Sequence, residues 1–241
     1  MKDIQDVLWS ARTRDEFPAL AEKGAVVVVP IASTEQHGLH LPVDTDCRTA
    51  EYVAVEAARR LDDVPVLVTR IIPFGISPHH MMFPGTITLR VETVVAMLGD
   101  ICESIVAHGF ERILILSGHG GNGSTIRAAA LELKFRLKRQ ITACSWFDLI
   151  PPEVFKAVNE GPSVNIGHAG EAETSTILVI SPELVRKEKY QLVDGITDNP
   201  ALATAEKGER ILQAGIEGVA ELLRSMAALP GQQVVGIARL E

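Results

Sequence analysis

The sequence predicts an α/β fold, with a mostly parallel central sheet covered by helices on both faces. Two observations predict it. Short apolar runs rich in Val, Ile and Leu alternate with longer amphipathic stretches, the pattern of strand–helix–strand units. The runs are apolar at almost every position, as strands buried on both faces require. No internal repeat, low-complexity tract or Gly/Ser linker divides the chain, so residues 1–241 read as one domain. In such folds ligands collect beyond the carboxyl ends of the strands.

The first strand is Val26–Ala32, VVVVPIA. Pro30 cannot donate to a ladder, so this strand should be irregular there or lie at an edge. After a polar loop, Cys47–Leu61 reads as a helix with Asp46 as a candidate N-cap. Val64–Ile72 reads as the second strand. The loop Pro73–Thr86 is too rich in Pro and Gly for regular structure, and its Met81, Met82 and Phe83 read as core filling. Glu92–His108 is a helix: Val94, Val95, Leu98, Ile101, Cys102 and Ile105 share one face, and Gly109 sits where a helix-ending glycine belongs. Arg112–Ser117 is a strand, Asn122–Lys138 an amphipathic helix and Ile141–Trp146 a further strand. Glu171–Ile180 fits either strand or helix. Ala201–Met226 reads as a long C-terminal helix with Ile211, Leu212, Val219, Leu222 and Met226 on its apolar face.

Lys and Arg number 23 against 31 Asp and Glu, a net charge of −8, which argues against a nucleic-acid partner held by phosphate neutralisation. Aromatic residues, at 5%, offer little surface for base stacking. Three scattered cysteines make neither a disulfide framework nor a cysteine zinc site. The charged N-terminus has no apolar signal core, and the longest apolar run, Ala25–Ala32, is far short of the ~20 residues a membrane helix needs. These features lead us to expect a cytoplasmic protein acting on a small molecule, with no membrane partner.

Histidine carries the chemical signal. Six of the seven histidines lie in expected loops, and His108, at a helix end, has no assigned function. In Ser33–Asp46, STEQHGLHLPVDTD, Glu35 and His37 are two apart just past the first strand, a spacing that turns both side chains one way in extended chain. Asp46 closes the loop. In Ser117–Gly123, SGHGGNG, His119 follows the third strand and the glycines allow close backbone approach. Gly118, Gly120 and Gly123 also match the dinucleotide fingerprint, and Asp148 could serve as its ribose acid. That reading makes the chain an NAD-type oxidoreductase, but it leaves His119 unexplained and needs the first strand of the fold. In Gly167–Ser175, GHAGEAETS, Glu171 and Glu173 suit a helix N-terminus, whereas His168 is placed like a general acid–base. The candidate metal ligands are therefore Glu35, His37, Asp46, His119 and one of the late glutamates. Mixed His and carboxylate donors suit Zn²⁺ or Mn²⁺, with Fe²⁺ a further candidate. Three carboxylates among five ligands suit two ions per chain.

These motifs, together with FPGTITL (Phe83–Leu89), resemble the creatinine amidohydrolase (creatininase) family in sequence and order. The resemblance implies a three-layer α/β/α fold, a binuclear metal site and a homo-oligomer, often a hexamer. By the resemblance Glu35 and His119 hold one metal, His37 the second, and Asp46 bridges them, while His168 is the catalytic histidine. The implied reaction is attack of metal-bound hydroxide on a carbonyl of a small cyclic or amide-like substrate. Formamide deformylation, or carbon–carbon hydrolysis opening an oxidised inositol ring (3-dehydro-scyllo-inosose), are alternatives. His80, Trp146, Gly120 and Gly121 are the expected substrate contacts. Two positions depart from the family. Creatininases carry a glutamate ligand two residues after the histidine of the glycine loop, where this chain has Gly121, so either Glu173, ahead of Glu171, replaces it or the second metal site is weak; Glu173, with His168, is also the candidate catalytic carboxylate. Gly167 stands where creatininases carry a glutamate before the catalytic histidine.

Overall fold

A computed structural model describes residues 1–231, so residues 232–241 of the expected domain lie outside the described part. Four strands, β1 (Val26–Ile31), β2 (Val66–Val68), β3 (Arg112–Ser117) and β4 (Gln140–Ser145), form one parallel sheet in the order β2-β1-β3-β4. The helices are α1 (Phe17–Glu22), α2 (Thr45–Arg59), α3 (Val91–Ala107), α4 (Gly123–Leu137), α5 (Pro152–Val158), α6 (Glu171–Ile180) and α7 (Ala205–Ala228).

The three layers follow from the period of two along the strands. Val26 and Val28 of β1, with Leu114 and Leu116 of β3, face α2 and α7. Val27, Val29 and Ile31, with Ile113 and Ile115, face α3 and α4. Both faces are covered, which is why β1 is buried along its whole length. Truncating a fully buried residue such as Leu114 to alanine costs about 2–5 kcal/mol.

Three expectations are corrected. β1 is an inner strand, and it stays in register with β3 through Pro30, which pairs with Leu116. Proline is tolerated because β2 pairs with β1 only as far as Val28, so the missing N–H faces a position where the neighbouring strand has already ended. Asp46 is not the N-cap of α2; Asp44 is, and Asp46 sits in the first turn. Met81 and Met82 do not fill the core; they are 51% and 80% exposed. The ambiguous segment Glu171–Ile180 is a helix, α6, whose first N–H is accepted by the buried Asp198 carboxylate. Gly109 ends α3 in the left-handed region, φ 90°, where glycine is the natural residue. Among the described residues no helix is long and apolar enough to cross a membrane.

Candidate metal centre

The candidate ligands all stand at the carboxyl edge of the sheet. Glu35 and His37 leave β1, Asp46 opens α2, His119 occupies the turn between β3 and α4, and Glu173 lies in the first turn of α6. Asp46 divides its two oxygens between two histidines: Oδ1 is 3.1 Å from His37 Nε2, and Oδ2 is 3.1 Å from His119 Nδ1. Glu35 Oε1 is 3.2 Å from the same His119 nitrogen. Glu173 Oε2 is 3.4 Å from His37 Nε2. All five residues are buried.

The surrounding main chain fixes which ring nitrogens face inward. His37 Nδ1–H donates to the Glu35 carbonyl at 3.1 Å. His119 Nε2–H donates to the Ile76 carbonyl at 3.0 Å. Each leaves its other nitrogen as a lone-pair donor toward the carboxylates, the arrangement that orients metal-binding histidines. Ser77, in the loop after β2, donates its hydroxyl to Glu35 Oε2 and lies beside Ser33 and His119. Sequence reading missed Ser77, because a single serine in a Pro/Gly loop has no signature of its own. Gly118 lets α2 come close, since a Cβ there would strike the Asp46 carbonyl oxygen.

The donor set fits a divalent cation. Glu35 Oε1, His37 Nε2 and Asp46 Oδ2 are buried, converge on one another and have no hydrogen-bond partner. Buried polar atoms are rarely left so, and three carboxylates beside two histidines are costly to bury without a compensating charge. Among the described residues three overlapping ligand groups are within coordination reach: Glu35, His79 and His119; Glu35, His37 and His168; and His37, Asp46 and Glu173.

Without a cation the cluster is held by protons. Burial opposes charge on His119, but the carboxylates of Asp46 and Glu35 close beside its Nδ1 raise it to about 10. Against the same burial, Asp46 and Glu173 raise His37 well above its usual value. Burial would raise Asp46, yet His37 and His119 hold it below the ordinary carboxylate range. Burial and the charge of His37 push His168 and His40 down to about 4.

These shifts set the pH profile of chelator-treated protein. Above pH 6.5 the folded chain keeps protons on His119 and His37 that the unfolded chain loses, so stability falls as pH rises toward about 10. Below pH 6.5 the unfolded chain takes up protons that folded His168 and His40 refuse, and at lower pH the contribution of Asp46 is lost too. Thermal unfolding in chelator is therefore expected to show greatest stability near pH 6.5. Each differing proton changes stability by about 1.4 kcal/mol per pH unit. Stability that climbs steadily from pH 6.5 to 9 would contradict these charges.

A cavity of about 520 Å³ opens onto the cluster, lined by Asp46, His119, His168 and Glu173 and by the expected substrate contacts His80, Gly120 and Gly121. Gly120 has open space around it. Trp146 corrects the expectation: it is 1% exposed and packs on Gly215 of α7, while its neighbour Phe147 lines the cavity. The chain turns out of β4 at this point, so the side chain facing the cavity changes with the turn. His79, unassigned from the sequence, lines the outer wall and stacks on His119.

The two late glutamates separate cleanly. Glu171 accepts the N–H groups of Glu160 and Gly161 and pairs with Lys207, away from His37. Only Glu173 reaches the cluster. Its Oε2 also accepts the Ala169 N–H at 2.5 Å, from a residue in the left-handed region at φ 50°, where a non-glycine residue is strained. The nucleotide reading of the glycine loop loses its basis, because His119 projects from that loop onto two buried carboxylates, which repel a pyrophosphate.

Comparison with known proteins finds relatives over most of the chain. A family model, Creatininase (creatinine amidohydrolase), matches residues 10–223. The mycofactocin precursor peptide peptidase of Mycobacterium tuberculosis is 31% identical over 221 residues, covering 79% of this chain and 81% of the relative. The creatinine amidohydrolase of Pseudomonas putida is 26% identical over 248 residues, covering 88% and 94%. Among solved structures, a manganese creatininase aligns with a TM-score of 0.80 at 25% identity, covering 93% of this chain and 100% of that one. A mutant creatininase of the Zn–Zn type aligns with a TM-score of 0.80 at 25% identity, covering 95% and 100%.

Proposed function

As a member of the creatinine amidohydrolase (creatininase) family the chain is a hydrolase, and we propose that it uses two divalent cations to hydrolyse an amide-type bond at the carbonyl of a small substrate. The division of Asp46 between His37 and His119, at 3.1 Å each, carries this reading. One ion would be held by Glu35, Asp46 and His119, the other by His37, Asp46 and Glu173. Zn²⁺ or Mn²⁺ suits these donors. Bound there, the ions supply Lewis acidity toward a carbonyl and lower the pKa of water.

The chain's own groups do the rest. The cavity admits the substrate along Gly120, where no side chain intrudes. His168 presents Nδ1 toward the cluster, 3.5 Å from Glu35 Oε1, where it can take a proton from the attacking water and return it to the leaving group. Burial keeps that ring neutral and able to accept. The peptidase and the amidohydrolase among the relatives share cleavage at a carbonyl–nitrogen bond, which supports carbon–nitrogen hydrolysis of amides or formamides as the first reading; a 3-dehydro-scyllo-inosose hydrolase among the relatives keeps ring opening as the alternative.

Replacing His168 with alanine is expected to lower kcat by roughly 10²–10⁴-fold with metal content unchanged. The checks are turnover on a panel of cyclic amides, formamides and short peptides, and elemental analysis. Full turnover in the variant would remove the proton role, and absence of bound metal in active wild-type protein would remove the reading itself.

The same reading includes self-association, for which the support is an exposed apolar group. Leu39, Val43, Met81, Met82 and Ile87 are each at least 39% exposed, on loops joined by the Glu35–Val43 and Ile87–Thr34 main-chain hydrogen bonds. Light scattering is expected to show an oligomer, and Met82→Lys to shift it toward smaller species; a wild-type monomer would exclude self-association.

A further inference from the structure

Gln36, between the candidate ligands Glu35 and His37, faces more acceptors than its amide can serve. The residue is buried. Its Oε1 accepts the Gly38 N–H at 2.9 Å. Its Nε2 has two N–H bonds but three neighbours: the Gly195 carbonyl at 2.6 Å, His168 Nε2 at 2.9 Å and His80 Nδ1 at 3.1 Å. The main-chain carbonyl of Gln36 is also 2.9 Å from His168 Nε2.

Only one distribution of protons leaves every acceptor among these atoms with a donor. Gly195 can only accept, so it takes one amide N–H. If the second went to His168, both His80 Nδ1 and the Gln36 carbonyl would lose a partner. If it goes to His80, then His168 Nε2–H donates to the Gln36 carbonyl and every acceptor has a partner, the 2.9 Å approach of the two Nε2 atoms remaining a contact without a hydrogen bond. A buried acceptor left without a donor is costly, so the second distribution prevails.

That distribution gives the two rings opposite roles. They are stacked with centroids 4.2 Å apart. His168 is left with a bare Nδ1, 3.5 Å from Glu35 Oε1, and His80 with a protonated Nε2, 3.6 Å from the same oxygen. One ring thus offers a lone pair and the other an N–H at one edge of the cluster.

We propose that Gln36 is a positioning residue that sorts the pair: its main-chain carbonyl makes His168 the base, and its side-chain amide makes His80 a hydrogen-bond donor to the substrate carbonyl oxygen. This rests on the hydrolytic reading above and adds a donor to it. The N–H of His80 would strengthen its bond as negative charge builds on that oxygen, so its loss should appear in kcat rather than KM.

The test is histidine-selective ¹⁵N NMR of the full-length zinc-loaded protein, with His80→Gln and His168→Gln spectra to assign the rings. Both rings of the wild type are expected to carry their proton on Nε2. In Gln36→Met, which keeps the main-chain carbonyl and loses the amide, His168 should keep its tautomer while His80 becomes a mixture. In that variant kcat should fall about 10–100-fold, with KM within about threefold and bound metal unchanged. A wild-type proton on Nδ1 of either ring overturns the proposal, even if the variant fails to fold. An unchanged His80 tautomer in Gln36→Met, or an activity loss matched by metal loss, overturns it too. If the wild type hydrolyses no carbonyl substrate while the tautomers are as expected, the hydrolytic reading fails and the sorting of the rings stands.

Discussion

Asp46→Asn is expected to lower turnover by roughly 10³-fold or more and to cost the protein at least one bound ion per chain. Asn has the volume of Asp, so the first turn of α2 and its close approach to Gly118 need not move. What changes is the chemistry of the two ends. Asp46 offers one oxygen to His37 and the other to His119, each at 3.1 Å. An amide offers one oxygen and one NH₂, and the NH₂ cannot ligate. Whichever histidine faces it shares no anionic ligand with its neighbour, and two cations held there would lose the charge between them. Lewis-acid stabilisation is worth several kcal/mol, and each 1.36 kcal/mol is tenfold in rate, which gives the estimate. The comparison is kcat at saturating metal beside elemental analysis of both proteins. Two ions per chain in Asp46→Asn, with turnover within threefold of wild type, would sink the shared-carboxylate arrangement.

Much of this centre was legible in the sequence, for a local reason. Glu35 and His37, His119 and Asp46 each sit within a few residues of a strand end or helix start, and a parallel sheet brings those ends to one edge. The sheet itself was legible because β1 is apolar throughout and β3 is apolar from Ile113 to Leu116. The illegible parts depend on contacts far apart in sequence. Ser77 meets Glu35 across 42 positions, and Gln36 meets His168 across 132. Neither residue type announces such a partner. Trp146 was misplaced at the cavity, where Phe147 stands, because the chain leaves the strand at Trp146 for a short turn, where the period of two no longer says which side chain faces which way. Pro30 misled for a similar reason: the edge rule concerns the neighbouring carbonyl that would accept the missing N–H, and β2 had already ended.

The choice between Glu171 and Glu173 shows how one uncertain element blurs a ligand. Read as a strand, residues two apart face the same way, and both carboxylates could serve. In the helix that forms, two positions are about 200° apart, so the pair is split: Glu173 toward His37 at 3.4 Å, Glu171 toward Lys207 and the Glu160 and Gly161 N–H groups. Opposite consequences follow. Glu173→Gln is expected to reduce bound metal from two ions per chain to one and turnover by roughly 10²-fold or more, with folding intact. Glu171→Ala should keep both ions and instead lose about 3 kcal/mol of stability, since it strips a buried carboxylate from a lysine and two backbone donors. Adding Gly121→Glu to Glu173→Gln, which restores a carboxylate at the position creatininases use, should not rescue the second ion. A Cβ at residue 121 collides with His119 Nε2 and with the Ile76 carbonyl, the bond that aims His119 Nδ1 at the cluster. The new carboxylate would displace the ligand it is meant to assist. Metal stoichiometry and urea unfolding of the three proteins separate these outcomes. Rescue to two ions by Gly121→Glu would show that the glycine loop can yield, and that Glu173 is a replaceable ligand rather than one the loop's packing requires.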